Sequence, residues 1–226
     1  MAVIYLIRHA QASFGARDYD KLSDFGERQA VVLGQALAAR GVRPDLVVTG
    51  SMSRHLRTAQ LALEAAGLSD RAEVDTGFDE FDHEQVILAH KPAYRRRTVM
   101  LADLARTGNP QRAFQEMFSA ATERWVREED GYTESFQAFA DRVEAAIRRT
   151  AGSLGKGGTA VVFTSGGPIT SVVSRLLTGG DGLWLTLNPL TINTAITKVL
   201  SGARGLTVVS HNEHGHLDGT EMLTYR

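Results

Sequence analysis

Three short apolar runs most constrain what this chain can fold into: Ala2-Val3-Ile4-Tyr5-Leu6-Ile7, Leu46-Val47-Val48-Thr49 and Thr159-Ala160-Val161-Val162-Phe163-Thr164. Each is rich in β-branched residues, is bounded by polar ones, and reads as a buried strand. Helical spacing follows each run. Ala30, Leu33, Leu37 and Ala38 share one face of a helix that Ser23 or Asp24 can cap, with Glu27 in support and Gly41 as the stop. Arg54 to Ala66 reads as a second helix, and Pro168 suits the first turn of a third that continues over Ile169 to Leu177. Strand alternating with helix in this way predicts a parallel sheet with crossover helices. Asn193 to Leu200 and Gly205 to Val209 read as two final strands.

The middle of the chain has a different character. From Glu84 to about Gly152 no strand pattern stands out, and helical stretches cover Tyr94 to Arg106, Gln111 to Arg127 and Glu134 to Thr150. Phe136, Phe139, Val143, Ala146 and Ile147 form an apolar stripe in the last of these. The expectation is a single domain over residues 1–226 with a helical insertion at about 84–152, placed over one end of the sheet as a pocket wall or lid.

Composition removes several function classes. The chain has 226 residues with 25 basic against 26 acidic side chains, a formal net charge of −1. No basic excess points to nucleic acid or to an anionic membrane. Cysteine is absent, which excludes a disulfide framework, a thiolate zinc site and a cysteine nucleophile. No apolar stretch approaches the roughly 18 residues of a membrane span. Arg8 and His9 interrupt the N-terminal run where a secretory signal would continue it. A soluble cytoplasmic protein is the expectation.

The chemistry collects at the strand ends. The first run ends in Arg8-His9. The second runs into Gly50-Ser51-Met52-Ser53-Arg54, with His55, Arg57 and Thr58 beyond. The third ends in Thr164-Ser165-Gly166-Gly167. Open α/β sheets bind ligands at the carboxyl edge of their strands. Two arginines and the amides of a helix N-terminus at one spot make an anion site. A histidine beside them is neutral enough at pH 7 to act as a nucleophile toward phosphorus.

These segments, in this order, resemble the histidine phosphatase superfamily, or phosphoglycerate mutase-like fold, over the length of the chain. Ile7-Arg8-His9-Ala10 is similar to that family's Arg-His-Gly signature. Leu22-Ser23-Asp24-Phe25-Gly26-Glu27-Arg28-Gln29-Ala30 is similar to its Leu-Thr-x-x-Gly-x-x-Gln-Ala segment. Thr49 to Ala59 resembles the segment that carries its second arginine and a helix threonine, here Arg54 and Thr58. Phe78-Asp79-Glu80 resembles the Leu-x-Glu of its acid, and Glu134-Ser135-Phe136 with Arg142-Val143 the segment before its last core strand. The resemblance implies an α/β three-layer sandwich, a mostly parallel central sheet flanked by helices. It implies a histidine acid phosphatase-type hydrolase, a phosphoric monoester hydrolase acting without metal or other cofactor. His9 would form a phosphohistidine, Arg8 and Arg54 would hold the phosphoryl oxygens, and Glu80 would be the acid, with Asp79 and Asp82 as rivals for that role. The partner would be a small-molecule phosphomonoester. The oligomeric state stays open, a homodimer included.

The chain departs from the family's pattern at two places. Ser165 stands where the family carries a second histidine. A serine hydroxyl and the following amide of Gly166 can bond a phosphoryl oxygen but add no positive charge. The loss of one such donor costs on the order of 2–4 kcal/mol at a transition state. His83, three residues beyond Glu80, is the candidate replacement; its alternative is a pocket-rim or surface histidine. In the second departure, Gln11 and Phe81-Asp82-His83-Glu84 replace residues of the mutase branch. The acidic rim disfavours a phosphoglycerate carboxylate, so a phosphatase is expected ahead of a phosphoglycerate mutase-type isomerase or a catalytically weak phospho-ligand binding protein. His55 reads as a packing or surface histidine and Arg57 as solvated or at the pocket edge. Arg95-Arg96-Arg97 reads as a solvated helix face, and His211, His214 and His216 as loop residues rather than a metal set.

Overall fold

The computed structural model describes residues 1–13, 20–69, 71–127 and 130–225. Part of the polar loop expected over residues 11–21 therefore lies outside the described residues. The chain divides into two compact units, residues 1–80 with 142–226, and residues 81–141.

The first unit is built on a six-stranded mixed sheet: β1 (Ala2–Arg8), β2 (Leu46–Thr49), β3 (Glu73–Val74), β4 (Thr159–Thr164), β5 (Ile196–Gly202) and β6 (Gly205–Glu213), in the order β3-β2-β4-β1-β5-β6. β1, β2, β3 and β4 run parallel, whereas β5 pairs antiparallel with β1, and β6 antiparallel with β5. The sheet is thus parallel where helices connect its strands. It turns antiparallel at β5, which the two-residue link Ala203-Arg204 joins to β6 in a hairpin. The burial follows the sequence pattern. β4 is buried along its length past Thr159, β1 buries Ala2, Ile4, Leu6 and Ile7 and leaves Val3 and Tyr5 half-buried, and edge strand β6 alternates exposed with half-buried positions.

On one face α1 (Asp24–Ala39) and α2 (Ser53–Ala65) pack as a pair. Leu33 and Leu37 of α1 and Ala59, Ala62 and Leu63 of α2 share a core with Ile7, Val47, Val161, Phe163 and Ile196 of the sheet. Of the two expected caps, Ser23 is the one used: its side chain accepts from the Gly26 amide. Gly41 takes a left-handed φ of 66° just past the helix, a conformation glycine adopts without a Cβ clash. On α7 (Gly166–Thr178) every residue from Gly166 to Ser174 is buried, and α7 packs against β1 and β6. The C-terminal half of α6 (Phe136–Gly152) lies beside α7, joined by the Arg175–Glu144 ion pair at 2.8 Å. The very short α8 (Trp184–Leu187) anchors Trp184, whose indole N–H donates to the Gly167 carbonyl.

The second unit is helical: α3 (His83–His90), α4 (Arg97–Ala105), α5 (Pro110–Arg127) and the start of α6. Trp125 centres its aromatic cluster, 4.5 Å from Phe81, 5.1 Å from Phe136 and 5.5 Å from Phe139, ring to ring. The single helix expected over 94–106 is broken into a 3-10 turn, Pro92–Arg95, and α4, because Arg96 takes an extended backbone. Arg95, Arg96 and Arg97 are exposed, a solvated face as their run of charge indicated. The compact helical unit closes at Asp141, inside α6, so the latter half of that helix belongs to the sheet unit. No helix among the described residues is long and apolar enough to cross a membrane.

Gly34 marks the closest approach within the α1–α2 pair: a Cβ there would sit 2.2 Å from the Ala62 carbonyl oxygen. Backbone cannot swing aside as a side-chain tip can. Gly34→Ala should therefore lower stability by about 1–2 kcal/mol, overpacking outweighing the gain in helix propensity. A lowered urea midpoint at unchanged slope is the expected observation; an unchanged or raised midpoint would show that the helices separate freely.

Candidate active site

β1 and β2 both flank β4, and their register aligns Arg8 with Thr164 and Thr49 with Phe163. Three strand ends therefore deliver their next residues side by side. The backbone just past β1 is held from three directions. The His9 amide donates to the Thr164 carbonyl, Asn193 Nδ2 donates to the His9 carbonyl, and the Ala10 amide donates to Thr58 Oγ1. Thr58 in turn donates to the Arg54 carbonyl one helical turn back, so the helix threonine of α2 ties the histidine loop to that helix.

His9 is 6% exposed. Its Nδ1 lies 2.7 Å from the Ala10 carbonyl oxygen, which can only accept, so the proton resides on Nδ1 and Nε2 carries the lone pair. Arg54 Nε donates to that Nε2 at 3.2 Å. The Arg54 guanidinium, 5% exposed, also donates to Asp20 Oδ1 at 2.7 Å, while the other oxygen of Asp20 accepts from the Ser53 amide at the start of α2. Arg8 donates through one nitrogen to the carbonyls of Thr191 and Tyr225. Burial holds the His9 imidazole well below its ordinary 6.5, reinforced by the charges of Arg54 and Arg8 and by His55; the bond to Ala10 opposes the shift only weakly.

The carboxylates divide by partner. Asp79 accepts from the Ser51 amide at 2.5 Å and from Ser51 Oγ at 2.6 Å, so it braces the turn after β2. Asp82 belongs to the helical unit, where it caps α3 through the Gln85 amide. Glu80 Oε2 accepts from the Gly167 amide at the N-terminus of α7, 3.1 Å away. Of the three, it is Glu80 that the sheet unit aims at the N-terminus of α7. Arg142 secures the segment that carries it, donating to the carbonyls of Gly77 and Asp79 at 3.2 and 2.7 Å. A concavity of about 500 Å³ lined by Asp45, Glu73, Lys156 and the 153–158 loop lies at the opposite, amino ends of β2 and β4 and holds none of these groups.

A family model for the histidine phosphatase superfamily (branch 1) matches residues 4–97 and 104–214. This chain belongs to the histidine phosphatase superfamily. Sequence relatives include 2,3-bisphosphoglycerate-dependent phosphoglycerate mutases of Thermobifida fusca, 41% identical over 30% of both chains, and of Mesorhizobium japonicum, 32% identical over 42% of this chain and 49% of the relative. The chain thus spans less than half the length of these curated relatives. The fold is shared more widely. A phosphoserine phosphatase of Entamoeba histolytica in complex with phosphoserine superposes with a TM-score of 0.65 at 16% identity, covering 96% of this chain and 100% of that one. The Bacillus anthracis phosphoglycerate mutase gives 0.66 at 19%, covering 96% and 95%. The mycobacterial glucosyl-3-phosphoglycerate phosphatase gives 0.62 at 22%, covering 94% and 99%.

Within this superfamily fold the residue that the sequence reading undervalued is His55. It is fully buried, and its Nε2 lies 2.7 Å from Ser165 Oγ, with its ring 5.6 Å from that of His9. A signal was present in the sequence: His55, Ala59, Ala62 and Ala66 recur at helical spacing on the buried face of α2. The imidazole set against Ser165 is therefore His55. His83, the expected replacement, is the half-buried first residue of α3 in the helical unit. Asp20, which pairs with Arg54, was also missed; nothing in its polar loop distinguishes it. Gly166 opens α7 with Asn188 Oδ1 only 3.0 Å from where its Cβ would be. Arg57 pairs with Glu27 at 2.8 Å on the solvated side of α2. His211 bonds Thr197, His214 the Asn212 carbonyl, and His216 Thr194.

Burial lowers four histidines in this unit below 6.5: His9, His55, His211 and His216, the last to about 4. The unfolded chain accepts protons on them more readily than the folded one. Stability therefore rises with pH across this range and is lost as pH falls below about 6.5. His216→Gln removes one such group outside the His9 cluster and should flatten the slope of urea midpoint against pH between 6.5 and 4. A slope unchanged by that substitution would mean that His216 is protonated alike in both states. Arg142→Ala removes the donor to the Gly77 and Asp79 carbonyls and should lower stability by about 1–3 kcal/mol, read as a lowered urea midpoint. An unchanged midpoint would show that the segment bearing Glu80 is held without Arg142.

Proposed function

We propose that the protein is a metal-independent phosphomonoesterase that works through a phosphohistidine on His9. The observation that carries this is the arrangement of His9 itself. The Ala10 carbonyl holds the proton on Nδ1, which leaves Nε2 as the nucleophilic position; its lone pair accepts from Arg54 Nε at 3.2 Å until a phosphoryl group draws that donor away. Burial and two arginines keep the ring neutral at neutral pH, the form a nucleophile needs.

In the first step Nε2 attacks phosphorus, the bond from phosphorus to the ester oxygen breaks, and Glu80 in its acid form protonates the departing alkoxide. In the second step water attacks the phosphohistidine while the Glu80 carboxylate takes a proton from it. The P–N bond breaks and inorganic phosphate leaves with His9 restored. Arg8 and Arg54 spread over the equatorial oxygens and stabilise the charge of each transfer. Splitting one displacement into two is what the nucleophile contributes, and a positioned acid contributes a factor of about 10²–10⁴.

Support for a phosphatase over a mutase comes from the carboxylate that already occupies one arginine of the site. Asp20 lies directly on Arg54, a poor neighbour for a second acidic group on the substrate. The mutase reading draws on the names of sequence relatives that align with fewer than half of this chain's residues. A small-molecule phosphomonoester is the proposed substrate, and the absence of cysteine supports a cytoplasmic setting.

The test is hydrolysis of an aryl phosphate and a panel of metabolite phosphomonoesters, with 3-phosphoglycerate isomerisation assayed with and without a bisphosphorylated primer. Wild type should release phosphate without added metal. His9→Ala should abolish turnover, and Glu80→Gln should lower kcat on alkyl esters by about 10²–10⁴. Turnover that survives in His9→Ala overturns the proposal. Primer-dependent isomerisation in excess of hydrolysis replaces it with the mutase reading, and phosphate binding without turnover replaces it with a phospho-ligand binding protein.

A further inference from the structure

The mechanism above leaves one buried titratable side chain unused, and that side chain lies next to the nucleophile. His55 is fully buried and makes one hydrogen bond, from Nε2 to Ser165 Oγ at 2.7 Å. Its Nδ1 has no hydrogen-bond partner among the described residues, and Asp79 Oδ1 stands 3.9 Å away. Asp79 is held in that position by the amide and hydroxyl of Ser51. Gly50 makes the approach sterically available: a Cβ there would fall 2.3 Å from His55 Nδ1 and 2.6 Å from Asp79 Oδ1. Serine, imidazole and carboxylate thus line up from the N-terminus of α7, through α2, to the segment that carries Glu80.

We propose that His55 and Asp79 form a proton relay that positions the Ser165 hydroxyl, turning it from a donor toward His55 Nε2 into a donor toward a phosphoryl oxygen when a phosphoryl dianion arrives. The inference rests on the phosphoryl-transfer reading of the His9 site.

A carboxylate can only accept, so Asp79 favours a proton on the Nδ1 that faces it, leaving Nε2 as a lone pair. Ser165 then donates its own proton to Nε2 and turns oxygen lone pairs toward its other neighbours. That polarity suits no phosphoryl oxygen. If His55 takes one proton from solvent, Nε2–H donates to Ser165 Oγ, and the Ser165 O–H is released to donate to a phosphoryl oxygen. Burial, with the charge of Arg54, keeps His55 neutral before that event. The groups facing it are Arg54 on its own helix, His9 beyond β1, Asp79 after the 3-10 turn Thr76–Phe78, and the neutral Ser165. A dianion bound to Arg54 offsets the one fixed cation in that set, and Asp79 is already placed to receive Nδ1–H. The second positive charge that Ser165 itself cannot provide would then come from α2.

Calorimetric titration of the protein with inorganic phosphate at pH 8, in buffers of differing ionisation enthalpy, counts protons taken up on binding. Wild type should take up close to one proton per phosphate bound, and His55→Gln, which can bond but not titrate, should lose most of it. Equal uptake in the two overturns the relay. Because replacement of a buried ring can unfold a protein, the milder Ser165→Ala provides a second arm. His55→Gln, Ser165→Ala and the double variant should each lower kcat on an aryl phosphate by about the same factor, on the order of 10²–10³, with KM little changed. Losses that multiply in the double variant, or single variants at wild-type kcat, overturn the relay. A wild type without His9-dependent turnover overturns the phosphatase reading instead, and the proton count then decides the relay by itself.

Discussion

Parallel pairing of β1 and β2 against β4 is the interaction on which the rest of this structure depends. Evenly spaced backbone hydrogen bonds set Arg8 opposite Thr164 and Thr49 opposite Phe163. One residue of slip would carry His9 away from α2 and reverse the faces of every side chain in the strand. The register holds because a slip would move Ile4 and Leu6 of β1 off the buried face and put the half-buried Val3 and Tyr5 in their place. The α1–α2 pair adds to this through the close approach at Gly34, and α7, buried over most of its length, fixes where the amide groups after β4 point.

Within that frame the site is a contest between burial and charge. Three cationic or titratable groups, His9, Arg54 and His55, lie almost out of solvent within one cluster. Only the guanidinium retains its charge there without difficulty; the two imidazoles give theirs up, driven first by desolvation and then by Arg54. The consequence is chemical. The same environment that keeps His9 neutral, the form required of the proposed nucleophile, also keeps His55 uncharged, and a bound anion would be the natural counterweight to both. Asp20, on the open side of Arg54, balances that arginine in the meantime and presents a substrate with a carboxylate to displace or accommodate.

Legibility in the sequence varied with how local the signal was. Five of the six strands, a cap at Ser23 or Asp24, the stop at Gly41 and the three crossover helices could be read because each depends on residues within one or two turns of each other; the two-residue β3 carries no such pattern. Arg8, His9, Arg54 and Glu80 could be named because their segments resemble a family pattern, and the structure places them at one sheet edge with the Gly167 amide on Glu80. Asp79 and Asp82 could not be told from Glu80 along the chain. What separates them is which amide each accepts, Ser51, Gln85 or Gly167, and those partners are distant in sequence or belong to a different unit. The broken helix near Arg96 was equally hidden, since one extended residue leaves the apolar spacing on either side intact.

His55 shows where the division falls. The sequence by itself determined that residue 55, which the structure buries, would lie on a helix after the second strand, either packed or at the surface. It also determined that Ser165 would follow the third strand and that no bulky side chain would stand at Gly50, because periodicity and residue type are properties of the chain. That these three positions meet was decided only by the tertiary structure. Strand register and the packing of α2 bring together atoms 110 residues apart, and no local pattern encodes a distance across that separation. The same holds for the protonation of His9 and His55: an imidazole's identity is written in the sequence, but its charge is set by desolvation and by Arg54, which exist only once the chain has closed around them.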